Sequence, residues 1–191
     1  MKVVLFNGSP RKAGNTYECL NMVMEELQAA GIECEYICIG MEKLHGCISC
    51  YKCVATKDKT CAQKDDKINE YIEKMIEADG IIFGSPTYVA NMTTNMKALL
   101  ERAVMVTLTS GNLLKHKVGA AVVAVRRAGA VHVFSSINYF FLISQMIVVG
   151  SSYWNLGIGL APGDVNKDRE GVRTFKNLGK NFAFVLQKLN S

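Results

Sequence analysis

Short, almost wholly apolar runs alternate along the chain with longer segments whose apolar positions recur every three or four residues. Residues 2–7 (KVVLFN) read as a buried strand. Residues 16–30 read as a helix, with Leu20, Val23, Met24 and Leu27 on one face and Gly31 as its stop. Residues 33–39 (ECEYICI) alternate as a second strand, and a cysteine-rich loop follows. Asp65 and Asp66 open a helix through Ala78, placing acid at the positive end of its dipole. Residues 80–84 (GIIFG) form a third strand, and Thr93 or Thr94 caps a helix running to Val106. Residues 118–125 give a fourth strand, 137–149 a fourth helix, 153–160 a fifth strand and 168–189 a closing helix.

Five such strands with helices between them imply a parallel sheet covered on both faces, because its strands are apolar almost throughout. Right-handed crossovers then give an α/β fold: a doubly wound, five-stranded parallel sheet in a three-layer α/β/α sandwich. No repeat, low-complexity tract or linker interrupts the pattern, so residues 1–191 are expected to form one domain, with the cysteine-rich loop at about 45–64. Ligands of such sheets sit outside the carboxyl ends of the strands. That edge carries the loops after residues 7, 39, 84 and 125, which are chemically the least ordinary stretches of the sequence.

Composition sharpens this picture. A hydrophobic fraction of 49%, 20% charged residues and a mean hydropathy of +0.12 describe a packed globule. The stretch 131–149 holds His132, Ser135, Ser136, Asn138, Ser144 and Gln145, too many polar residues for a membrane span. The first residues show no secretory h-region, which predicts a cytoplasmic protein with no membrane association. The net charge of +5 is scattered and lacks aromatic interleaving, so no nucleic acid is expected; an acidic ligand such as a phosphorylated cofactor suits it. Four of the seven cysteines fall between residues 47 and 61, and in a reducing compartment such clusters bind metal or do redox work more often than they form disulfides.

The loop Asn7–Thr16 (NGSPRKAGNT) reads as a phosphate nest. Gly8 allows the sharp turn, Ser9, Asn15 and Thr16 offer side-chain donors, and Arg11 and Lys12 add charge. The backbone amides opening the first helix favour an anion. An ordinary turn with a polar cap is the plainer alternative. The nucleotidase loop is excluded, since Asn15 stands where its lysine belongs, and the dinucleotide fingerprint is absent. One terminal phosphate without a transfer lysine points to a mononucleotide cofactor, of which FMN is the usual occupant. The second loop, residues 84–92 (GSPTYVANM), offers a proline bend, Tyr88 and backbone polar groups that suit a flat heteroaromatic ring; a plain turn with a buried tyrosine is again the alternative.

Taken in order, GSPRKAGNT, the clustered cysteines and GSPTYVANMTTNMKALLER resemble the NADPH-dependent FMN reductase superfamily, and within it most the iron–sulfur flavoproteins. The resemblance spans about residues 2–160. It implies a flavodoxin-like fold, bound FMN and a homodimer or homotetramer. By matching position, Ser9, Arg11, Asn15 and Thr16 hold the FMN phosphate, and Pro86, Thr87, Tyr88 and Asn91 hold the ring and ribityl chain. The third flavin loop matches only in part; it reads Arg126-Arg127-Ala128-Gly129-Ala130-Val131 and places Arg126 and Arg127 near the flavin or an incoming phosphate.

Cys47, Cys50, Cys53 and Cys61 give C-x2-C-x2-C-x7-C. That spacing resembles the compact motif of the iron–sulfur flavoproteins and implies a [4Fe–4S] cluster. Free or redox-active thiols are a second reading. Zinc is a third, although structural zinc sites usually come as two separated pairs. Cys19, Cys34 and Cys38 read as packing residues, and His45, His116 and His132 are too dispersed for hydrolysis. The expected function is an FMN-dependent oxidoreductase passing electrons from NAD(P)H to a quinone, a flavin or another small acceptor, with no catalytic side chain nominated. The alternative is an electron-transfer module served by a ferredoxin-like partner. A third reading is a flavin-binding sensor without turnover.

Overall fold

The computed structural model describes residues 1–190; Ser191, the last residue of the expected domain, lies outside the described residues. The chain runs β1 (Lys2–Asn7), α1 (Asn15–Ala29), β2 (Glu33–Cys38), α2 (Lys52–Thr56), α3 (Ile68–Glu77), β3 (Gly80–Pro86), α4 (Thr94–Thr109), β4 (Val118–Val125), α5 (Ala130–Ile143), β5 (Ile147–Val148), β6 (Leu156–Ile158) and α6 (Arg169–Leu189). All strand pairs are parallel and the order is β2-β1-β3-β4-β5, with β6 also on β4. The direction of winding reverses between β1 and β3, so the loops leaving those two strands part and open a crevice at the carboxyl edge.

Alternate side chains of the apolar strands serve opposite faces. Val3, Leu5 and Ile82 pack with Leu20, Val23, Phe175 and Phe182 of α1 and α6. Val4, Phe6, Ile81 and Phe83 pack with residues of α3, α4 and α5. The result is the three-layer doubly wound sandwich expected from the apolar pattern. On the second face Phe83 is the hub. Its ring stacks on Phe141 at 5.4 Å and meets Phe140 and Phe6 at 5.3 and 5.7 Å.

Three element boundaries differ from the sequence reading, each for a local reason. The fourth helix covers Ala130–Ile143 instead of 137–149. It starts after Gly129, which is left-handed (φ +87), and stops before Gln145, also left-handed, so the apolar run behind it becomes β5. The fifth strand is two short pieces on one edge. Ile147 and Val148 pair with Val118 and Gly119, while Leu156–Ile158 pair with Val123–Val125. Asn155 fills the gap between them: Val123 N donates to its carbonyl, and its side-chain amide donates to Ala121 O. The third helix begins at Ile68 and not at Asp65: Asp66 stands just before it, its Oδ1 accepting from Ile68 N while its Oδ2 pairs with Arg102. Thr93 caps α4 in agreement with the sequence reading, accepting from Met96 N, and Asp168, read as the first residue of the closing helix, is its cap, accepting from Gly171 N.

Phe83→Ala removes the hub of this aromatic cluster. We expect a loss of about 3–5 kcal/mol in urea unfolding monitored by circular dichroism. A loss below about 1 kcal/mol would show that the cluster is not what stabilises this face of the sheet.

Candidate functional site

The β1–α1 turn is built to leave backbone donors free. Gly14, the N-cap of α1, is extended and offers no side chain, so the first amides of the helix have no side-chain cap. The turn is fastened from elsewhere. Gly8 N donates to Gly84 O at 2.8 Å, and Thr93 Oγ1 donates to Gly8 O at 2.9 Å. Ser9 N donates to the buried Asn7 Oδ1, and Arg11 N to Ser9 Oγ. Gly40, beyond β2, lies so close to the Ser9 carbonyl that a Cβ would overlap it. Ser9 and Thr16 are buried, while Arg11 is exposed at the mouth.

The β3–α4 loop forms the facing wall. Thr87 donates through both its amide and its hydroxyl to Ala124 O. Tyr88 and Asn91 exchange backbone hydrogen bonds across a tight turn whose central residues, Val89 and Ala90, are both left-handed. A β-branched residue in that region is strained, and such strain gathers at functional sites. Gly129, on the β4–α5 loop, packs directly on Ala90 and has no room for a Cβ.

Together these loops enclose a cleft of about 180 Å³ lined by residues of the β1–α1, β3–α4 and β4–α5 loops and of the segment after β6. Eight of the nine expected flavin residues line it: Ser9, Arg11, Asn15, Thr16, Pro86, Thr87, Tyr88 and Arg126. Asn91 does not; it is exposed, its side chain accepts from Met92 N, and its backbone closes the turn with Tyr88. Arg127 also faces away, toward a neighbouring hollow beside Tyr153 and Glu170. Gly159 and Leu160 contribute to the cleft and were not expected. Asn15 Oδ1 accepts from Val165 N, which ties α1 to that segment. Only the sheet order, which sets β6 beside β4, reveals their place. Trp154 is half exposed against Tyr153 and is absent from the lining.

The cysteine loop forms a second, closed hollow. Cys47, Cys50, Cys53 and Cys61 all line it, together with Arg102, Met105 and Val106 of α4. Ser49, Tyr51, Lys57 and Lys59 are left-handed, so the segment coils tightly on itself. Two N–H groups point at sulfur: Ser49 N at Cys47 Sγ (3.5 Å) and Arg102 Nε at Cys61 Sγ (3.2 Å). Among the described residues no three Cys, His, Asp or Glu side chains converge on a single-ion position. Asp66 sits beside this hollow. Burial pushes its carboxyl upward, but the amides of His45 and Ile68 and the Arg102 guanidinium outweigh that and hold it below the usual carboxylate range. Cys19 and Cys34 lie apart; burial pushes the Cys19 thiol far up and the Cys34 thiol to about 11, which suits packing and not redox chemistry.

A family profile for NADPH-dependent FMN reductase matches residues 1–161. An iron–sulfur flavoprotein of Methanocaldococcus jannaschii is 41% identical over 98% of both chains. An iron–sulfur flavoprotein of Methanosarcina thermophila is 34% identical over 98% of this chain and 96% of its own. In fold, the chain is similar to a flavodoxin-like WrbA-like protein of Agrobacterium tumefaciens, with a TM-score of 0.68 at 14% identity, covering 98% and 97% of the two chains. A flavodoxin-like sandwich with its cleft at the winding reversal, matched over its whole length by named flavoproteins, places this chain in the NADPH-dependent FMN reductase family, as a flavin oxidoreductase related to the iron–sulfur flavoproteins.

Proposed function

We propose that the cleft binds FMN and that Cys47, Cys50, Cys53 and Cys61 hold a [4Fe–4S] cluster, so that the protein moves electrons between a reductant and a small acceptor. The observation that carries the flavin half is the uncapped start of α1 beneath the buried Ser9 and Thr16. Those groups fit a phosphate: neutral donors and helix amides lie inside, with the Arg11 charge at the mouth. The cleft is smaller than the roughly 300–1,000 Å³ of most ligand pockets. Ser9, Asn15, Thr16 and the first amides of α1 would hold the phosphate inside, and the exposed Tyr88 and Leu160 would flank the ring at the lip. Thr87 spends its donors on Ala124 O and keeps that lip rigid. The cysteine hollow matches a cubane in donor type and number and in its N–H groups directed at sulfur; at about 20 Å³ it would have to widen around the group, and the exposed Cys50 side is where it would open.

When bound, FMN supplies hydride acceptance and stepwise electron release, and the cluster supplies single-electron transfer. The protein's own part is to hold the phosphate, orient the ring, and keep the Cys61 end of the hollow dry. Reduction by NAD(P)H, with a quinone, a flavin or another small molecule as acceptor, is the reading in line with the family's name. The four-cysteine hollow favours a second reading, in which a ferredoxin-like carrier supplies the electrons and NAD(P)H is no substrate. No helix among the described residues is long and apolar enough to cross a membrane.

Anaerobic stopped-flow mixing separates the two readings. Bleaching of the flavin band by NADPH within seconds supports the reductase; a band untouched by NADPH and NADH but bleached by reduced ferredoxin supports the carrier. Thr16→Val and Ser9→Ala should each weaken FMN binding by about 1–2 kcal/mol, read by fluorescence quenching. Unchanged affinity in both variants would remove the phosphate assignment.

A further inference from the structure

Arg102 is the largest fully buried side chain of the protein, 1% exposed on α4. An arginine is rarely buried without a partner for each donor. Nη1 donates to Asp66 Oδ2 and to His45 O, and Nη2 donates to Gln63 O at 2.8 Å. Those acceptors all belong to the segment that carries the cysteines. Nε–H is directed at Cys61 Sγ at 3.2 Å. Asp66 balances the guanidinium charge, so the cation is not in the hollow to neutralise a free carboxylate.

Cys61 is also held at its backbone. Its amide donates to Asn69 Oδ1 at 2.7 Å, and its carbonyl accepts from Asn69 Nδ2 at 3.1 Å. It is the buried member of the four, whereas Cys50 is exposed and Cys47 and Cys53 are half-buried. A buried cation that directs a donor at the innermost sulfur does two things to a cluster ligand. It fixes the direction of the sulfur, and it stabilises the extra negative charge that arrives when the cluster gains an electron.

We propose that Arg102 is a positioning residue for the cluster: its Nε–H aims the Cys61 sulfur and raises the reduction potential, and Asp66 sets the opposing charge. The proposal rests on the cluster reading given above. The redox step is the gain of one electron by the cluster, supplied in the test by dithionite. No covalent bond breaks, and the proton stays on Arg102.

The test uses the full chain, reconstituted anaerobically with iron and sulfide. Iron and sulfide are counted per chain, and the midpoint potential is taken from an EPR-monitored redox titration of the unsubstituted protein, Arg102→Lys and Asp66→Asn. Arg102→Lys keeps the charge and loses the fork, so the potential should fall. Asp66→Asn removes a neighbouring negative charge, so the potential should rise. Loosened packing alone would not move the two in opposite directions. Pulsed EPR of the reduced, unsubstituted protein labelled with ¹⁵N-arginine should show a ¹⁵N coupling from the guanidinium, and this readout stands even when a variant fails to fold. A loaded cluster with no such coupling, or with potentials unmoved in both variants, overturns the role of Arg102. An unsubstituted protein that takes up no iron overturns the ligand assignment itself, and the role of Arg102 with it.

Discussion

The structure depends on a set of backbone amides that the chain leaves unspent. At the start of α1, Gly14 provides no cap, and the turn before it is held by bonds that do not consume those amides. Gly8 N goes to Gly84 O, Gly8 O accepts from Thr93, and Ser9 N goes to Asn7 Oδ1. The first two tie the turn to β3 and to the cap of α4, so its shape is not set by its own sequence alone. An open, rigid group of donors at the positive end of a helix dipole has little electrostatic use except to meet an anion.

The helix α4 joins the two candidate centres. Its N-cap, Thr93, is part of the clamp on the β1–α1 turn, and Asn95, two residues on, donates to Ile39 O and Glu42 O, where the chain leaves β2 for the cysteine loop. Farther along, Arg102, Met105 and Val106 form the inner wall of the cysteine hollow. Arg102 lies eight positions beyond Thr94, which is about 12 Å along a helix at 1.5 Å per residue. The flavin cleft and the cysteine hollow are thus registered on one rigid element buried along Met96, Leu99, Ala103 and Val106. In the proposed reading, with flavin in one and a cluster in the other, such a brace would preserve the spacing of the two redox groups without contact between them.

Much of this was legible in the residues. The apolar runs of β1, β3 and β4 are buried on both faces, so their strand character and parallel pairing could be read directly. Eight named cleft residues could be read because phosphate and ring binding demand particular side chains at loop positions next to those strands. The rest failed where tertiary contact decides. The broken fifth strand depends on Asn155 bonding across to β4, which no local pattern shows. Residues 137–149 looked helical because their apolar content is high throughout, yet the left-handed Gly129 and Gln145 set the real limits. Asp66 read as a helix-opening acid and does accept from Ile68 N at the start of α3, but its other oxygen takes Arg102, 36 residues away, which no local pattern shows. Arg102 closes the motif GSPTYVANMTTNMKALLER, yet nothing local marked its role, since an arginine in a helix reads as surface until burial is known.

The account stands on the phosphate being what the β1–α1 turn recognises. Riboflavin and FMN share ring and ribityl chain and differ only in that group. Titrating flavin-free protein with each, by fluorescence quenching at matched ionic strength, isolates it. FMN is predicted to bind at least about 100-fold more tightly, which corresponds to about 2.7 kcal/mol from charge-assisted hydrogen bonds to the phosphate. Equal affinity for the two flavins would contradict the account.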